Sequence, residues 1–138
     1  MSVRARPNGV IILSVLEVLL GILFLLGVFG LTVVGIGLQE VVPHVRLFPV
    51  RLFVVVIVLL GLAAVEFVLA FGAWNGMGWA WWGSLLFAVL GIVFFVMSLF
   101  LRPGLGEIVS LIADLLVLYC LMQPRVQAYF GKGALAQA

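Results

Sequence analysis

The chain has 138 residues, 67% of them hydrophobic and 9% charged, with a formal net charge of +2 and a mean hydropathy of +1.45. Soluble domains are about 45–50% apolar and about 25% charged, so this much apolar surface does not fit inside one water-soluble core, and an integral membrane protein is expected. The small net charge gives no reason to expect nucleic acid as a partner.

The chain opens with Arg4-Ala5-Arg6-Pro7-Asn8 and enters a long apolar run. That run outlasts the roughly 7–15 residues of a signal peptide's apolar region, and a retained first helix over about 9–34 is expected. Pro7 and Asn8 suit its start, because proline is tolerated in a first turn and asparagine caps. The stretch 35–51 holds Pro43, His44, Arg46, Pro49 and Arg51. Its prolines argue against one continuous helix, and an interfacial turn with Val42, Val45, Leu47 and Phe48 toward lipid is expected. Further helices are expected over about 52–73, 79–101 and 106–122, the last stopped by Pro124. Each approaches the roughly 20 apolar residues that a crossing needs.

The connections Trp74-Asn75-Gly76-Met77-Gly78 and Arg102-Pro103-Gly104-Leu105 are tight. Short connections force antiparallel neighbours, so the expected fold is all-α, an integral membrane antiparallel four-helix bundle. No linker or polar extramembrane region interrupts residues 1–138, which read as one transmembrane domain. Arg4, Arg6, Arg125 and Lys132 flank one face, against Arg46, Arg51 and Arg102 on the other. The positive-inside rule then places the termini in the cytoplasm. On the termini side Trp74, Trp79, Trp81 and Trp82 gather as expected interface anchors, with Tyr119 and Tyr129 nearby.

Three acidic residues, Glu17, Glu66 and Asp114, fall in three different apolar segments that contain no basic residue. Intramembrane charges are costly and mark a site by default. Counted from the termini-side end of its own helix, each lies roughly 10–12 Å deep at about 1.5 Å per residue, which would bring the three into one layer. Buried carboxyls in that setting are held by hydrogen bonds, a shared proton or a bound cation. Against a functional role stands polar glue between helices, with Ser14, Ser84, Ser98, Ser110 and Thr32 as partners. Glu17 also lies near enough to the interface to reach Arg6. Small residues, among them Gly21, Gly27 and Gly30, Gly61 and Ala64, and Ser84, Ala88 and Gly91, would let helices approach closely.

No enzyme is expected. The lone His44 sits in a loop and the lone Cys120 near the end of the last helix. No Ser/His/Asp arrangement, phosphate loop or metal spacing occurs, and no cofactor is implied.

Arg6-Pro7-Asn8-Gly9-Val10 followed by Leu16-Glu17, the turn Gly72-Ala73-Trp74-Asn75-Gly76 with Trp79-Ala80-Trp81, and the closing Leu118-Tyr119 to Pro124 with Tyr129-Phe130-Gly131 form a pattern across nearly the whole chain. It resembles a loose group of small, uncharacterised four-helix membrane proteins of prokaryotes, with an RPxGV start and an LYxLxxPxV…YFG end. The resemblance implies the four-helix layout and a cytoplasmic-membrane location, and no mechanism.

The expected function is to move or bind a proton, cation or small cationic solute through Glu17, Glu66 and Asp114. Four short helices enclose little space, so a homo-oligomer in the lipid bilayer is expected to complete the path. The alternative is an accessory or scaffolding subunit of a larger membrane complex, held through glycine-rich faces and the tryptophans.

Overall fold

The computed structural model describes residues 5–41, 48–101 and 104–132; the side chains of 36, 38–41, 48 and 49 lie outside the description. The helices are α1 (Asn8–Val41), α2 (Phe48–Trp74), α3 (Gly78–Leu101), α4 (Leu105–Met122) and the short α5 (Pro124–Tyr129). The first four carry apolar stretches long enough to cross a membrane: Asn8–Gly35, Val50–Trp74, Gly78–Leu101 and Leu105–Met122. Helices answer the demand of hydrocarbon, which offers no hydrogen bonds, by satisfying backbone groups internally. The protein is a small multi-pass membrane protein of the all-α class, its long helices packed pairwise and its apolar side chains largely turned outward.

Helix α1 runs on through 35–41, where the sequence reading began the first connection. Leu38, Gln39 and Glu40 are good helix formers, and no proline intervenes before Pro43. Helix α2 begins earlier than expected because Pro49 falls in its first turn, where a missing N–H costs nothing. The expected interfacial turn with His44 and Arg46, together with Arg4 and Arg102, lies outside the described residues.

The chain divides into two compact units, Val18–Val68 and the combination of Met1–Glu17 with Leu69–Ala138. In the first, α1 from Val18 onward packs on α2 as far as Val68. The Phe67 ring covers Gly21, its Cζ 3.0 Å from where a Cβ would stand, and Leu52 fills the space beside Gly35. Glycines here admit partner side chains, the close approach on which helix association in lipid depends.

The second unit collects the first turns of α1, the end of α2, and α3, α4 and α5. The α2–α3 turn is closed by Gly76 N–H to Ala73 O at 3.1 Å and Met77 N–H to Gly72 O at 2.9 Å. This pattern places Gly76 in the left-handed region at φ 68°, the usual glycine end of a helix. Leu69 then packs into Gly83, and Trp79 and Ala80 into Gly72. Helix α5 starts with Pro124 after an extended Gln123. It packs within this unit: Val126 and Gln123 press on Gly9, and the Tyr129 ring on Gly76. Buried Trp81 of α3 donates its indole N–H to the carbonyl of Leu121 on α4 over 3.2 Å.

Candidate functional site

Glu17, Glu66 and Asp114 are 2%, 6% and 8% exposed, each more than nine-tenths buried although most large apolar side chains around them are not. The fold thus turns the acidic faces inward, as the cost of a charge facing hydrocarbon requires.

Glu17 ends the α1 part of the second unit. The Ser84 hydroxyl of α3 donates to Glu17 Oε1. Ser14 stands one turn earlier on the same face of α1. It is also buried, and its hydroxyl has no hydrogen-bond partner among the described residues. The result is a polar patch of Ser14, Glu17 and Ser84 where α1 meets α3. Thr32, a further partner offered by the sequence, is spent on its own helix, donating to Val28 O at 2.7 Å.

Asp114 of α4 faces α3 at Gly91, where any Cβ would overlap its carboxyl group. Ser84 and Gly91 are seven residues apart, two turns along one face of α3, so the Glu17 and Asp114 carboxyls dock about 10 Å apart along that helix. The difference from equal depth has a simple origin. Leu121, near the end of α4, is level with Trp81, the fourth residue of α3. Counting from the end of α4 therefore starts inside the bundle, and Asp114 reaches the middle of α3. Ala88, buried between the two docking points, leaves that face of α3 lined by small residues. Glu66 belongs to the other unit, eight residues before the end of α2.

The tryptophans part company. Trp74, Trp79 and Trp82 are exposed, whereas Trp81 is buried with its N–H bonded inside the protein. Trp81 is therefore a packing residue of the α3–α4 pair, a role that its place in a Trp-rich turn conceals. Arg6, for which the sequence offered Glu17 as partner, instead engages Trp74. Its Nε donates to the Trp74 carbonyl at 3.1 Å, and its guanidinium lies 4.2 Å from the Trp74 ring centroid. Among the described residues no group of three or more His, Cys, Asp or Glu gathers as metal ligands would.

Two carboxyls two turns apart do not close on one ion, because ligand-to-cation distances are about 2–2.6 Å. They can serve as successive acceptors along a path. Comparison with protein-family models, curated proteins and solved structures finds no match, so the resemblance read from the opening and closing motifs identifies no family, while the four-span layout it implied is present in the fold.

Proposed function

We propose that the protein binds or moves a proton, or a small cation or cationic solute, through its buried carboxyls. The observation that carries this reading is that three carboxyl groups, Glu17, Glu66 and Asp114, are each more than nine-tenths buried within apolar spans. The Ser14–Glu17–Ser84 patch supplies hydroxyls that donate or accept, and the small face of α3 leads from it toward Asp114. Such chains of acidic and hydroxyl groups pass protons in pumps and transporters. The reading assigns the chain no catalytic turnover and no cofactor, places the termini in the cytoplasm, and has several copies completing the path.

The test is flux in proteoliposomes with an entrapped pH dye and an imposed ion gradient. The protein should dissipate the gradient, and the combined variant Glu17→Gln, Glu66→Gln, Asp114→Asn should not. Equal flux in both overturns the proposal.

A second reading, an accessory subunit held by a larger membrane complex, draws on Gly30 and Gly61. Among the described residues, no side chain and no other helix comes within 4 Å of where a Cβ would stand at either. Uncovered glycines on lipid-facing helices admit a partner helix. A partner retained in mild detergent and lost on Gly61→Leu would favour it.

A further inference from the structure

Beneath the α2–α3 turn lies an open cleft of about 490 Å³, lined by Arg6, Ile11, Trp74, Asn75, Gly76 and Tyr129. It is independent of the acidic residues. The spans of α1 and α2 begin at Asn8 and end at Trp74, so the cleft opens at a membrane boundary, the level of lipid headgroups.

Its polar groups are held in place. The Trp74 carbonyl, at the end of α2 and without an intrahelical partner, accepts from Arg6 Nε at 3.1 Å and from the Tyr129 hydroxyl at 3.0 Å. Both of its lone pairs are thereby used. The same carbonyl and the Trp74 ring fix the guanidinium by one edge and one face. Its two terminal nitrogens have no hydrogen-bond acceptor among the described residues. A guanidinium held this way presents a fork suited to two oxygens of a phosphate. Asn75 is likewise fixed, donating to Phe71 O at 2.8 Å.

The surrounding charge has one sign. Among the described residues, the segments 5–16, 74–78 and 122–132 hold no acidic residue and carry Arg6, Arg125 and Lys132. Nearby, Lys132 holds its ammonium 5.6 Å from the ring centroid of Trp82, early in α3. Basic pockets between helices at this level attract anionic headgroups, and the volume falls within the roughly 300–1,000 Å³ of ordinary ligand sites.

We propose that this cleft binds a phosphate-bearing anion, with Arg6 as its principal ligand and the Trp74 and Tyr129 rings as its walls. A phospholipid headgroup and free phosphate share this chemistry.

The experiment is native mass spectrometry of the whole protein in detergent, titrated with phosphatidylglycerol or with the phosphate-free diacylglycerol of matched chains. Phosphatidylglycerol should be retained roughly tenfold better, the scale of one charge-assisted bidentate contact. Arg6→Gln should abolish the preference and Arg125→Gln, an exposed charge outside the cleft, should keep it. If Arg6→Gln fails to fold, Arg6→Lys serves instead and should lose most of the preference, because it keeps the charge without the fork. Millimolar inorganic phosphate that displaces the lipid assigns the site to free phosphate; lipid that stays bound assigns it to the headgroup. Equal retention of the two lipids by the unaltered protein, or a preference that survives both Arg6 variants, overturns the proposal.

Discussion

The indole N–H of Trp81 bonds the carbonyl oxygen of Leu121 over 3.2 Å inside the α3–α4 contact. Leu121 is the next-to-last residue of α4, so its carbonyl belongs to the final turn and has no intrahelical donor. One side chain thus satisfies a helix end and sets the register of two spans. Trp81→Phe removes the donor and part of the ring, and should lower stability by about 1–2 kcal/mol. Trp82→Phe, whose ring is largely exposed, should change it little. Thermal unfolding of the two variants in one detergent is the comparison; equal midpoints would show that the bond contributes nothing.

The Glu17–Ser84 bond separates structure from proton chemistry. Glu17→Gln keeps a carbonyl oxygen for the Ser84 hydroxyl yet carries no exchangeable acid. Its unfolding midpoint should stay near that of the unaltered protein while proton flux falls. Glu17→Ala loses the bond as well and should cost about 0.6–2 kcal/mol, the range for interhelical hydrogen bonds in membranes. Flux retained in Glu17→Gln with stability lost in Glu17→Ala would make Glu17 a packing device.

The four spans were legible because apolar length is the dominant signal in a chain of this composition, and the short turns at 74–78 and 102–105 fixed the order of the helices. Which residues face inward was partly legible too, since an acid in a span has nowhere else to go. The depth of Asp114 was not. Depth counted from a helix end presumes that the ends are level, whereas the Trp81–Leu121 bond offsets α4 by about one turn. Helix α5 was similarly hidden: Pro124 marks a stop and also the first position of the next helix, and only packing on Gly9 and Gly76 decides that a helix follows. The pairing of Arg6 with Trp74 depends on residues 68 apart and carries no local signature.

Gly91 and Gly61 are both helical glycines but predict opposite outcomes. A Cβ at Gly91 meets the Asp114 carboxyl group, whereas at Gly61 it meets no neighbour within 4 Å among the described residues. Gly91→Ala should destabilise by about 1–3 kcal/mol, as overpacked sites do, and pairing it with Asp114→Ala should recover part of that loss as a coupling between neighbours. Gly61→Ala should be neutral or stabilising by up to about 1 kcal/mol from helix propensity alone. A loss of self-association in Gly61→Ala, read by cross-linking in lipid, would show instead that another helix packs there.

The two left-handed glycines form a matched pair for the final prediction. Gly76 has φ 68° and Gly131 φ 72°, and each closes a helix with the same pair of backbone bonds, Gly131 N–H to Ala128 O at 3.1 Å and Lys132 N–H to Gln127 O at 2.6 Å mirroring the turn after α2. An alanine at either position bears the left-handed cost of about 1–2 kcal/mol. At Gly76 its Cβ would also stand 2.9 Å from the Tyr129 ring, while at Gly131 it meets no neighbour within 4 Å among the described residues. Gly76→Ala should therefore destabilise more than Gly131→Ala. It should also disturb the cleft, because Tyr129 must move and its hydroxyl bonds the carbonyl that holds Arg6. Thermal unfolding and phosphatidylglycerol retention measured on both variants test this link: Gly76→Ala should lose on both, Gly131→Ala on stability alone, and equal effects would show that Tyr129 does not couple the turn to the cleft.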